Sequence, residues 1–142
     1  MSTGASQPRW DTAPEVLVQQ ALHNEGLLDY TLQKTIRLPD WGKKRQWTTP
    51  DILFDEQKLA IFVDGCAWHG CPKHHVEFET NRPYWRRKHA IQRARDQRHS
   101  RCLETLGYRV VRIWECEDAE AGARAVRAVL DTDQPPGIYG LP

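Results

Sequence analysis

The apolar run Leu59-Ala60-Ile61-Phe62-Val63, closed by Asp64, constrains the fold more than any other stretch of this chain. It reads as a strand, bounded upstream by the polar turn Asp55-Glu56-Gln57-Lys58. Asp51-Ile52-Leu53-Phe54 precedes that turn, so the two segments predict a β-hairpin with an aspartate at each outer end. Carboxylates so placed can meet near a strand edge, where they suit Mg2+, a cation that prefers oxygen ligands and keeps several waters. The plainer reading of each is a turn or cap residue.

Around the hairpin, Thr12-Ala13-Pro14-Glu15 predicts a helix start, with Thr12 as cap and Glu15 three residues on. That helix runs to about His23 and ends near Gly26. Tyr30, Leu32 and Ile36 mark a short extended stretch. Residues 39–50 hold Pro39, Gly42 and several basic and aromatic side chains, and are expected to be a loop. Pro83 opens a long helix to about Leu106, stopped by Gly107, with Ile91, Ala94, Cys102 and Leu106 on its apolar side. Tyr108 to Trp114 alternates as a strand, Ala119 to Leu130 forms a last helix, and the Pro-Pro-Gly tail is expected to end the fold. At 142 residues the chain has room for one core. The expectation is a loose arm over 1–11 and a single α/β domain over 12–142. No apolar run reaches the roughly 18 residues of a bilayer span, and Met1 to Gln7 is polar, which predicts a cytoplasmic protein.

Charge is unevenly spread. Residues 82–112 carry ten Lys and Arg against two acidic side chains, a local +8, while the remainder carries ten basic against seventeen acidic groups, −7. A basic segment on an acidic chain suits a polyanion such as nucleic acid, although a solvated Arg-rich helix face has the same composition.

Chemistry concentrates in Cys66-Ala67-Trp68-His69-Gly70-Cys71-Pro72-Lys73-His74-His75. Cys66, Cys71 and His74, joined by Cys116 beyond the last strand, supply the four donors of a closed structural Zn2+ site, and His75 is an alternative to His74. The plainer reading is a set of reduced thiols. Cys102 is expected in the core.

Thr49-Pro50-Asp51 and Val63-Asp64-Gly65-Cys66-Ala67-Trp68-His69-Gly70-Cys71-Pro72-Lys73-His74 resemble the signature of the very short patch repair endonucleases. The match continues through Thr80-Asn81, Tyr84-Trp85, Arg95-Asp96, Gly107-Tyr108-Arg109-Val110 and Trp114-Glu115-Cys116-Glu117, and covers about residues 12–118. The resemblance implies a restriction-endonuclease-like fold of the P-D…(D/E)-x-K type, a central mixed sheet flanked by helices with a structural zinc. It implies a Mg2+-dependent enzyme that nicks double-stranded DNA 5′ of the thymine in a thymine–guanine mismatch. Asp51 is similar to the family's Mg2+-binding aspartate, with the Val63 carbonyl as second ligand. His69 corresponds to the general base or proton carrier, and Glu15 and Asp96 to holders of metal-bound waters. Asp64 faces the site where lysine is usual in this fold. Cys66, Cys71, His74 and Cys116 match the zinc set. Trp68 and Trp85 match aromatic wedges that enter the base stack. Ala67 replaces a neighbouring aromatic, which predicts a weaker mismatch preference than in typical relatives.

Lys43, Lys44 and Arg45 in the loop before Asp51, with Arg86, Arg87 and Lys88 on the long helix, are expected phosphate contacts. A monomer, with mismatch-repair proteins as possible partners, completes the expectation. Two rival readings are a related nickase of host defence or a mobile element, and a zinc-stabilised DNA-binding module without catalysis. The joint presence of Asp51, His69, Glu15 and Asp96 argues against the latter.

Overall fold

The computed structural model describes residues 14–65 and 82–140. The expected arm over 1–11, the Thr12 cap and the whole cluster from Cys66 to His75 lie outside the described residues.

Three helices and seven strands are formed within them: α1 (Pro14–Asn24), β1 (Thr31–Leu32), β2 (Ile36–Trp41), β3 (Lys44–Thr48), β4 (Ile52–Phe54), β5 (Leu59–Asp64), α2 (Arg82–Thr105), β6 (Arg109–Trp114), α3 (Ala119–Asp131) and β7 (Gly137–Gly140). The hairpin forms as its sequence requires, with Ile52 opposite Ile61 and Phe54 opposite Leu59 in an antiparallel pair. β1 adds to the outer edge of β4. β5 then pairs parallel with β6, and β6 parallel with β7, giving a mixed five-stranded sheet in the order β1-β4-β5-β6-β7. The parallel step from β5 to β6 needs a crossover longer than a tight turn, and α2 lies in that connection.

Period-two alternation sorts the strands onto two cores. Ile52, Phe54, Leu59, Ile61, Val111 and Ile113 point to one face, where they bury Val18 and Leu22 of α1 with Ala123 and Val126 of α3. Leu53, Ala60, Phe62 and Val110 point to the other, against Leu103 of α2 and Leu38 of β2. The sheet is thus flanked by helices on both faces. α2 stops at Gly107, whose φ of 94° is a left-handed conformation glycine adopts without steric cost. Among the described residues no helix is long and apolar enough to cross a membrane.

Three expectations are corrected. Residues 39–50 are not a loop: β2 and β3 make a separate two-stranded ribbon, with Arg37 opposite Trp47 and Leu38 opposite Gln46. Its turn uses Gly42 at a φ of 62°. The tail after Pro136 does not leave the fold, since Gly137–Gly140 pairs with β6. Ile91, Ala94 and Leu106 do not face the core but are exposed, Ile91 by 63%, because the buried stripe of α2 runs through His89, Ser100 and Leu103. Cys102 packs half-buried against the second core.

Candidate active site

The register of the hairpin builds the site. Asp51 stands one residue before β4 and Asp64 ends β5, so antiparallel pairing brings both to the same end of the sheet. There the Asp51 carboxylate accepts the Val63 backbone N–H through Oδ2 at 2.7 Å and the Gln33 side-chain amide through Oδ1 at 3.2 Å. Burial pushes the Asp51 carboxyl above its ordinary value; these two hydrogen bonds oppose the shift, and the charges of Glu15 and Asp64 add to it. Glu15, in the first turn of α1, is therefore electrostatically part of the site.

Asp64 is 7% exposed and is held by Arg112 of β6, whose Nη1 lies 2.9 Å from Oδ1 and 3.0 Å from Oδ2. Phe62, Asp64, Val110 and Arg112 share one face of the parallel β5–β6 pair, with Phe62 in register with Arg112. The guanidinium accordingly lies 4.3 Å from the Phe62 ring centroid. Its Nε donates to Ser100 Oγ of α2 at 3.1 Å, and Nη2 lies 3.5 Å from the Asp96 carbonyl. One cation thus ties two strands to the helix that carries Asp96.

Asp51, Val63, Asp64 and Asp96 open into one cleft of about 370 Å³, together with Trp47, Thr48, Thr49, Gln92, Arg95, His99 and Arg112. Gln92, one helical turn before Asp96, donates to its Oδ1 at 3.4 Å. His99 is held below its ordinary pKa first by burial and then by the charges of Arg98 and Arg95, with Asp96 opposing. Its imidazole is therefore biased toward the neutral, proton-accepting form. Carboxylates and guanidinium groups lining one cleft are a setting for a phosphate ester, whose charge the cations meet while a carboxylate such as Asp51 stays available for a metal.

Among the described residues, no three His, Cys, Asp or Glu side chains lie close enough to hold a metal ion between them. The carboxylates that line the cleft, Asp51, Asp64 and Asp96, are oxygen donors of the kind a hard cation such as Mg2+ takes alongside water. The charges of Glu15 and Asp64 both act on Asp51 in the direction a bound cation would relieve, although Asp64 is itself paired with Arg112.

The remaining expected residues fall as follows. His69 and Trp68 lie outside the described residues, as do Cys66, Cys71 and His74; Cys116 is exposed just beyond β6. Trp85 sits half-buried in the first turn of α2, edge-on to Tyr84 at 5.3 Å, with the Lys88 ammonium 5.8 Å from its ring. Arg86, Arg87 and Lys88 are exposed on α2, and Lys43, Lys44 and Arg45 on the ribbon.

Sequence reasoning missed Arg112, His99 and Trp47. The first has a signal, since a charged side chain on the inward phase of an alternating strand needs a buried partner. So has the second, because His99 lies three residues after Asp96 and shares its helical face.

The model of the family "DNA mismatch endonuclease Vsr" matches residues 1–77. The chain is 39% identical to the type II nicking enzyme V.NaeI of Lentzea aerocolonigenes over 124 residues, 87% of this chain and 70% of that protein. It is 36% identical to the type II nicking enzyme V.XorIIP of Xanthomonas oryzae over 130 residues, 85% of this chain and 84% of the relative. To the DNA mismatch endonuclease Vsr of Escherichia coli it is 37% identical over 71 residues, 47% of this chain and 44% of that one. With Asp51, Asp64 and Asp96 gathered in one cleft and a family model matched over more than half its length, the chain belongs to the Vsr family of DNA mismatch endonucleases.

Proposed function

We propose that this protein is a Mg2+-dependent endonuclease that nicks one strand of duplex DNA at or beside a thymine–guanine mismatch. The observation that carries the reading is the convergence of Asp51, Asp64 and Asp96 in one cleft with Arg95, His99 and Arg112. Asp51 and the Val63 carbonyl would hold the cation directly, with Glu15 and Asp96 orienting its waters. When bound, the cation supplies positive charge to the phosphoryl group in flight and eases ionisation of the attacking water. His69 takes the proton of that water. Arg112 fixes Asp64, which stands where lysine is usual in this fold, and brings its positive charge to the cleft. Cys66, Cys71, Cys116 and either His74 or His75 would hold a structural zinc within the single domain of residues 12–142.

A nickase of different specificity is the second reading. It is favoured by the type II nicking enzymes V.NaeI and V.XorIIP, which match over 87% and 85% of this chain, against 47% for the Vsr of Escherichia coli. The test is a nicking assay in Mg2+ on duplexes carrying each single mismatch and on perfect duplex, using protein whose zinc is counted by elemental analysis. The expected result is one zinc per chain, fastest nicking at thymine–guanine, and no nicking by Asp51→Ala. Equal rates on all duplexes favour the second reading. Wild-type rates from Asp51→Ala would discard the proposed centre.

A further inference from the structure

We propose that the β2–β3 ribbon is a DNA-contacting arm and that Trp47, which lines the cleft, is its base-contacting residue. The inference rests on the nuclease reading above and deepens it by naming a specificity element outside the metal-binding residues.

The ribbon has two unlike faces. Leu38, Gln46 and Thr48 point inward and are buried, whereas Arg37, Arg45 and Trp47 point outward. The inward face is latched to α2: Arg98 Nε donates to Gln46 Oε1 at 2.8 Å, and Gln46 Nε2 donates to the Pro39 carbonyl at 2.9 Å. At the tip, the Arg98 guanidinium lies 3.9 Å from the Trp41 ring centroid. A two-stranded ribbon is marginal alone, so these contacts and Leu38 hold it against the body.

The outward face has the chemistry of a nucleic-acid platform. Trp47 is 50% exposed, although burying an indole is among the larger gains a fold can make. Arg37, its cross-strand partner, lies with its guanidinium 5.1 Å from the Trp47 ring centroid. That guanidinium is itself fixed by the Leu38 and Gln46 carbonyls and by Asp40. The indole is therefore held in place before any ligand arrives, and it lines the same cleft as Asp51. Lys43, Lys44 and Arg45 continue the positive charge along the ribbon. A fixed aromatic flanked by cations, opening onto a phosphodiester-cleaving cleft, fits a base or sugar next to the scissile phosphate: the cations meet phosphates and the ring stacks.

The experiment measures binding of wild type, Trp47→Ala, Trp47→Leu and Trp47→Phe to a mismatched and a fully paired duplex. Ca2+ replaces Mg2+ for binding, and nicking is followed separately in Mg2+. Stacked bases contribute enough that losing the ring weakens binding by about ten-fold or more. Trp47→Ala and Trp47→Leu are expected to show that loss with unchanged unfolding temperature, and Trp47→Phe to recover most of it. Leucine keeps apolar bulk without a π face, so wild-type binding by Trp47→Leu would overturn stacking. Wild-type binding by Trp47→Ala would overturn the arm altogether. A wild type that binds but nicks no duplex would sink the nuclease reading, while the binding series still decides the role of Trp47.

Discussion

Asp51 carries a cost that its position makes unavoidable. Burial and the neighbouring charges of Glu15 and Asp64 raise its folded pKa above the ordinary carboxylate value that the unfolded chain retains. Between those two values the folded protein binds more protons than the unfolded one, so stability falls as pH rises through that window and stays lower above it. Asp51→Asn removes the charge while keeping an oxygen to accept the Val63 N–H. The variant is expected to unfold at a higher temperature than wild type at pH 8, and the advantage should vanish below about pH 4, where the wild-type carboxyl is neutral too. Thermal unfolding across that pH range checks it. An advantage that persisted at low pH would place its origin outside the ionisation of Asp51.

At the scale of elements, Arg112 joins β5, β6 and α2 through Asp64, Ser100 and the Asp96 carbonyl. The pair is well shielded, with 20% and 9% of the Arg112 and Asp64 side chains exposed. Arg112→Met is therefore expected to cost about 3 kcal/mol in chemical denaturation, because a largely buried carboxylate loses its guanidinium. Adding Asp64→Asn should restore part of that loss, whereas additive losses would deny the coupling.

The same contact marks where legibility in the sequence ends. The strands around Ile52 and Leu59 and the meeting of Asp51 with Asp64 were readable, because a short hairpin fixes its register locally. The partner of Arg112 was not, since it depends on the parallel pairing of β5 with β6, whose register joins residues 50 apart such as Phe62 and Arg112. The ribbon was hidden for another reason. Its inward positions are filled by Gln46 and Thr48 as well as Leu38, so hydrophobic alternation is missing, and the Arg98–Gln46 hydrogen bond supplements the packing of Leu38 against α2. β7 is short and glycine-bounded, and gains its order from the β6 edge.

Across the whole molecule, the sheet separates two electrostatic sides. α1 and α3 cover one face with few charges of either sign, while α2 brings eight basic and two acidic side chains to the other, beside the ribbon. The cleft opens among residues of that second side. On the proposed reading a duplex bound there would meet Arg86, Arg87 and Lys88 from the helix and Lys43, Lys44 and Arg45 from the ribbon, all exposed. Each phosphate neutralised releases counterions and adds about 0.9 to the slope of log affinity against log salt. Replacing either triplet by alanine is expected to flatten that slope by between about one and three units and to weaken matched and mismatched duplexes alike. Arg124→Ala, exposed on α3 across the sheet, should leave it unchanged. Salt titrations of binding in Ca2+ measure all three. An equal flattening from Arg124→Ala would mean that DNA is drawn by net charge and not by this face.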